Sequence, residues 1–506
     1  MLGTVMSALD SSIVNVCLPN IMASFGASID DIEWVVTGYM LGFSTFMPLT
    51  AWMRDRIGHR RLYLLSLAVF TCGSVLCGLA WSLPALVFAR VIQAFGGGAI
   101  TPTGMAMIAE VFPPAERGRA LGIWGVGVIL GPAIGPTIGG YLTETLGWRS
   151  IFNINLPIGL FGLWLANRVL RHDAPKGNAK TSFDRPGFVL LTLFLVSGLL
   201  GLSKGNQDGW TSPFIVGCGL VATASLIAFL VVESVVESRI LDLSLFRHGQ
   251  FAVAMTVTGV RSVALYGGTF LLPLFMQTQM GLSEVQTGVL LLPGALMIGA
   301  MMPFAGRLAD RIGARTPTIV GLVLVAAFMF TYTSLDTSTS TWNLLWPTLV
   351  RGFGLALLVT PVMTAAINSV PTHRAGMASS MLNLIQQVAG SAGIAALAAV
   401  LGRRTHQHLA VVGQAMDSEA PVLLATTRDL TLRFMGLGFA PRDAQTVAGV
   451  LVGQHAGGAA AVFAFNDAFL VGGVVVLLGA IPALFLAARP RKVAVDPSAA
   501  SHALAD

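Results

Sequence analysis

Charge is what this chain has least of. Of its 506 residues only 11% are Asp, Glu, Lys or Arg, against about a quarter in an ordinary soluble protein, too few polar side chains to cover a water-facing surface. Cysteine is also scarce. Cys17, Cys72, Cys77 and Cys218 all lie inside apolar runs, without metal-ligand spacing or an extracellular disulfide pattern, so they read as free packing thiols. A nucleotide-binding glycine loop, a metal-ligand cluster, a nucleophile motif and a soluble catalytic segment are all missing, so neither an enzyme nor a metal or cofactor is expected. No extended basic face exists either: the net charge of +6 sits in short Lys and Arg clusters between apolar runs, which argues against nucleic acid as a partner.

What the chain does have is apolar length. Hydrophobic residues make up 54%, and runs of about 20 residues, each enough to cross a bilayer, recur near 1–23, 34–53, 62–82, 85–110, 120–143, 150–170, 186–203, 213–233, 251–276, 285–305, 317–335, 342–368, 376–400 and 464–488. An all-α membrane protein with about fourteen spans is the expectation. The first run has no basic leader and carries Asp10 at its centre, so no cleavable signal is expected. Most Lys and Arg, including Arg54, Arg56, Arg60, Arg61, Arg117, Arg119, Arg171, Lys176, Arg307, Arg311 and Arg315, fall on one side if the N-terminus is inside. By the positive-inside rule both termini should then be cytoplasmic, in the inner membrane.

The chain repeats itself. Asp55-Arg56-Ile57-Gly58 returns as Asp310-Arg311-Ile312-Gly313, each after the second span of its half. The plan is two six-helix bundles related by a pseudo-two-fold axis: residues 1–170 and 251–488, a linker 171–250 with two inserted spans, an outside loop 401–463 and a cytoplasmic tail 489–506.

The segment Gly306-Arg307-Leu308-Ala309-Asp310-Arg311-Ile312-Gly313-Ala314-Arg315 resembles the cytoplasmic loop signature of the major facilitator superfamily. Its first-half copy keeps Asp55, Arg56, Gly58, Arg60 and Arg61 but has Ala51, Met53 and Arg54 where the signature has glycine, leucine and alanine. An aspartate there can cap a neighbouring helix and pair with arginines, a gating contact. Gly127, Gly131, Gly135 and Gly139, with Pro132, Pro136 and the closing Gly140, give a smooth, kinked face that resembles the motif marking exporters and antiporters of that superfamily.

Leu9-Asp10-Ser11-Ser12-Ile13-Val14-Asn15-Val16-Cys17-Leu18-Pro19 resembles a signature of its fourteen-helix drug:proton antiporter branch, and Arg90-Val91-Ile92-Gln93 resembles its fourth-helix motif. Trp148 to Gly159 and Asn383 to Gly390 agree. The resemblance implies proton-driven efflux of small hydrophobic or cationic drugs by alternating access. A dedicated exporter of one metabolite, antibiotic or fatty acid is the alternative.

A charge at the bilayer centre costs about 3 kcal/mol on insertion scales, so Asp10 and Arg90 are the expected proton-coupling pair. Burial would favour the neutral acid and a neighbouring cation the carboxylate; a permanent salt bridge is the competing reading. Further intramembrane candidates are Arg261, Arg351 and Asp467, with Glu110 and Glu33 nearer the interfaces. Helix position suggests Trp34, Tyr39, Tyr266, Phe270, Gln277 and Gln387 for a substrate pocket. The partners expected are the lipid bilayer, protons, a small-molecule substrate and, through loop 401–463, a periplasmic adaptor protein.

Overall fold

The computed structural model describes residues 1–27, 29–170, 183–236, 240–336, 339–371, 374–418 and 420–487. The expected tail 489–506 and linker residues 171–182 lie outside the described residues. Among those described there are helices and no strands: α1 (Leu2–Phe25), α2 (Ile29–Phe46), α3 (Leu49–Ile57), α4 (His59–Gly78), α5 (Leu83–Val111), α6 (Arg117–Leu146), α7 (Ser150–Asn153), α8 (Asn155–Val169), α9 (Arg185–Asp208), α10 (Pro213–Val235), α11 (Gly249–Thr278), α12 (Glu284–Ile312), α13 (Arg315–Thr331), α14 (Thr341–Asn368), α15 (Ala375–Ser418), α16 (Ala420–Gly436), α17 (Pro441–Leu478) and α18 (Ala480–Ala483).

The helix ends follow local chemistry. Ser82, Ser212 and Ser340 cap α5, α10 and α14 by accepting from backbone amides of the first turn, and Ser283 and Gln286 close a reciprocal box at the start of α12. Among the described residues ten helices are long and apolar enough to cross a bilayer, or eleven when α1 is counted as one bent span, so the structure does not reproduce the count of fourteen one for one. The bend in α1 is 61° between Leu2–Asn15 and Cys17–Phe25. Pro19 accounts for it: proline has no N–H to offer the Asn15 carbonyl four residues back.

Two sets of helices pack in the same order. In the first, α1 lies against α6, α5 against α2 and α4, and α4 against α8; in the second, α11 lies against α15, α14 against α12 and α13, and α13 against α17. The repeated loops share one backbone form as well. Gly58 has φ 82° and ψ 163°, and Gly313 has φ 86° and ψ 173°, a region that side-chain-bearing residues rarely enter. Small residues let the backbones approach, the usual basis of helix association in lipid. A Cβ on Gly96 would meet the Phe70 amide and the Ser66 carbonyl, and one on Gly321 would lie 2.6 Å from the Gly354 carbonyl.

The inserted pair α9 and α10 pack on each other, and α9 also touches α2 and α15, bridging the two sets while Val189, Leu193, Leu220 and Val231 face outward. The region expected as a loop, 401–463, is mostly helical. Helix α15 has 44 residues, about 66 Å at 1.5 Å per residue, or twice the hydrocarbon thickness of roughly 30 Å. Helices α15 and α17 thus continue as an arm, with α16 packed on α17.

Gly96→Val should overfill the α4–α5 contact by about 1–3 kcal/mol and cut the yield of monodisperse protein on size-exclusion chromatography. Gly217→Val, where nothing lies within 4 Å of the added carbon, should leave that yield unchanged.

Candidate functional site

The glycine face of α6 sets the site by receiving α1 in register. Cβ atoms on Gly127, Gly131, Gly135 and Gly139 would strike, in turn, Val5, Ala8 with Leu9, Ser12 and Ile13. The side chains of Pro132 and Pro136 lie outside the described residues, and Gly140 faces open space. Helix α1 is thereby pressed into the first bundle, and Asp10 is wholly buried.

Three side chains from two other helices converge on that carboxylate. Arg90 Nη1 donates to Asp10 Oδ2 at 2.5 Å, Gln93 Nε2 donates to Oδ1 at 2.8 Å, and Asn155 Nδ2 donates to Oδ1 at 2.9 Å. The donors are themselves held. Arg90 also donates to Gln93 Oε1 at 2.7 Å and to the Val35 carbonyl at 3.3 Å, with its guanidinium 4.0 Å from the Tyr39 ring centre. Asn155 donates to Ser74 Oγ at 2.9 Å, and Ser74 donates to the Phe152 carbonyl. Both carboxylate oxygens are thus occupied, by donors from two helices other than the one that carries Asp10.

Asp10 and Arg90 stand together as the sequence suggests, and Tyr39 joins them. Gln93 and Asn155, which also contact Asp10, are residues that the motif reading quoted but did not single out. Their signal was there: Gln93 is one helical turn from Arg90, and Asn155 is an amide inside an apolar run.

The other expected site residues are scattered. Glu33 accepts from Ser203 at 3.4 Å, and Lys204 sits 5.8 Å from the Trp34 ring, so both face the inserted helix α9. Glu110 pairs with His59 at 3.0 Å. Asp467 lies 2.9 Å from His408 Nε2 and 3.4 Å from Arg404 Nε, where α15 meets α17. Gly390 leaves room for the Tyr266 ring, Phe270 packs on the second-bundle core, Gln277 is exposed and Gln387 half-buried. Arg261 and Arg351 are buried in the second bundle.

The two bundles are stitched at the end carrying the repeated loops. Asp310 accepts from the Gly118 and Arg119 amides at 3.0 Å each, capping the N-terminus of α6 from α12. Gly306 is tight against the Gly118 carbonyl, Arg117 donates to Asn368 Oδ1 at 3.0 Å, and Ser379 donates to the Pro102 carbonyl at 3.0 Å. Here Met105, Leu121 and Trp124 join the second-bundle core, whereas Leu9, Ile13, Ile21, Leu86 and Phe152, toward the other end, form a cluster of the first bundle alone.

The first-half copy behaves differently. Arg54 turns back on Asp55 at 2.5 Å and packs against Gly376, where an aspartate cap would have to enter; Arg56 lies 5.5 Å from the Trp52 ring and Arg60 donates to Asn167 Oδ1 at 2.6 Å. Arg311 and Gly313 close α12.

Residues 1–394 match the Major Facilitator Superfamily. The chain belongs to that superfamily. Among relatives of this facilitator, the Multidrug resistance protein Stp of Mycobacterium tuberculosis is 35% identical over 79% of this chain and 74% of its own. The Tetracenomycin C resistance and export protein of Streptomyces glaucescens is 31% identical over 96% of this chain and 89% of its own. The solved proton:xylose symporter XylE aligns over 95% of this chain and 92% of its own with a TM-score of 0.58 at 15% identity, a likeness of fold alone. The facilitator is a multi-pass membrane transporter.

Removing the Asp310 carboxylate should loosen the stitched end. A charge-assisted bond is worth about 1.5–3 kcal/mol, so Asp310→Ala should raise thiol labelling of a Ser379→Cys reporter, in a background without the four native cysteines, by about tenfold or more. Unchanged labelling would mean that the cap does not hold this end shut.

Proposed function

We propose that this facilitator exports small hydrophobic compounds from the cytoplasm in exchange for protons, with Asp10 as the proton carrier and Arg90 as its counter-charge. The observation that carries the reading is the wholly buried carboxylate held by Arg90, Gln93 and Asn155 from helices α5 and α8. Because its partners come from α5 and α8 while it sits on α1, the surroundings of this one carboxyl depend on how three helices are arranged. Export as the direction is supported by the glycine register of α1 on α6 and by the likeness to a multidrug resistance protein and to a resistance and export protein.

In this reading the end bearing the basic loops is cytoplasmic, in the inner membrane, so the structure is the state closed toward the cytoplasm. Protons reach Asp10 from outside, the protonated acid releases Arg90, and the bundles rock about the site to expose it inside. Each proton moving inward gains about 2.3 kcal/mol per 100 mV and about 1.4 kcal/mol per pH unit, enough for a tenfold substrate gradient from a single proton. Cationic cargo fits less well, because Asp10 is already paired and a cation would have to displace Arg90.

Dedication to one metabolite, antibiotic or fatty acid is the second reading, favoured by the near full-length likeness to an antibiotic exporter. The α15–α17 arm is where a periplasmic adaptor would dock in a host with two membranes; co-purification lost on deleting the arm would test that.

The direct assay uses inside-out vesicles energised to hold a pH gradient, with lipophilic cations, neutral antibiotics and fatty acids added in turn. Wild type should show compound-dependent collapse of the gradient and Asp10→Asn should show none, while still reaching the membrane at normal level. Undiminished collapse in Asp10→Asn would remove Asp10 from proton coupling.

A further inference from the structure

The stitched end carries the same helix contact twice, with opposite charge in the two copies. Helix α6 begins at Arg117 and α15 at Ala375, so Gly118 and Gly376 are each the second residue of a long helix. A Cβ on Gly118 would strike the Asp310 carboxylate, whereas one on Gly376 would strike the Arg54 guanidinium. A cation therefore stands at the start of α15 where an acid caps α6. The first-turn amides of a helix have no partner within it, and that end favours anions and disfavours cations.

Arg54 is only partly satisfied in this place. Its Nε and Nη2 both donate to one oxygen of Asp55, Oδ1. Nη1, the atom nearest Gly376, is buried without an acceptor, and the side chain is only 9% exposed. Thr103 on α5 is 3% exposed, and its hydroxyl also lacks a partner. Both residues line one small cavity between the bundles, walled on the second-bundle side by Gly376, with room for a single small ion or water. No carboxylate lines it among the described residues. Thr50, also on its wall, spends its proton on the Met47 carbonyl, so the unspent polar groups there are an N–H and an O–H, both able to donate.

We propose that Arg54, Thr103 and the first turn of α15 bind one inorganic anion of about chloride size between the two bundles. The ion takes the place that the Asp310 carboxylate holds at α6, accepts from the donors left over and fastens the first-half copy of the contact as Asp310 fastens the second. A neutral water would leave the guanidinium facing a positive helix end. The site is separate from Asp10 and does not depend on which compound is carried.

The test is binding, measured without transport. Purified full-length protein is titrated with sodium chloride against sodium gluconate at fixed ionic strength, with the width of the chloride NMR line reporting bound ion. Wild type should show protein-dependent broadening that saturates, and its melting temperature should rise over the same concentrations. Arg54→Gln should weaken chloride affinity by about tenfold or more, and Thr103→Val, which keeps the arginine, should weaken it to a smaller extent. Monodisperse elution of both variants shows that they fold. Asp10→Asn should bind chloride as wild type does, whatever it does to proton release. Broadening that never saturates, or affinity unchanged in either site variant, would overturn the proposal and leave the cavity to water. A melting temperature that ignores chloride while the ion binds would overturn the fastening role.

Discussion

A full ion pair buried where water cannot reach it is expensive, and the Asp10–Arg90 contact is the constraint around which the first bundle is arranged. Its desolvation is offset only if every remaining lone pair and proton is used, and the neighbours show that requirement being met: Gln93 and Asn155 take the second carboxylate oxygen, Val35 and Tyr39 take the rest of the guanidinium. The helices supplying these groups need close approach, and the glycines of α6 and the α4–α5 contact provide it. A site that demands this many simultaneous partners has few intermediate geometries. Such a site suits a transporter, which has to pass between two arrangements without resting in a leaky one.

The contrast between the two ends of the molecule follows from the same economy. At the stitched end, one acid caps the N-terminus of α6 across the bundle boundary and glycine meets glycine, so polar contacts and apolar core both cross between bundles. Toward the other end the first bundle keeps a core of its own. Opening the stitched end therefore means uncapping a helix and parting backbone contacts, a discrete event and not a gradual slide.

Much of this was legible in the sequence, because the dominant signals are local. Apolar runs located the helices, the Asp-Arg-Ile-Gly repeat located two loops whose glycines adopt the same backbone form, and Asp10 and Arg90 stood out as charges where charge is costly. What escaped depended on the third dimension. The amide of Asn155 reaches Asp10 from the far side of the bundle; Trp34 and Glu33, read as pocket and interface residues, face an inserted helix whose seat no local pattern specifies; and residues 401–463, polar enough to read as a loop, continue as helix because their composition is helix-forming and their neighbours are helices. Asp55 has the expected motif, yet Arg54, one residue away, occupies it.

We propose Asp10 as a proton carrier whose charge state changes, and not as one half of a fixed salt bridge. Infrared difference spectra of the reconstituted protein, recorded between neutral and acidic pH, report that directly through the carbonyl stretch of a protonated carboxylic acid. The account predicts a protonated-acid band that grows on acidification, is absent in Asp10→Asn and shifts when Gln93 or Asn155 is replaced. A spectrum in which no such band depends on Asp10 at any pH where the protein transports would contradict it, and would leave the pair as a structural bridge.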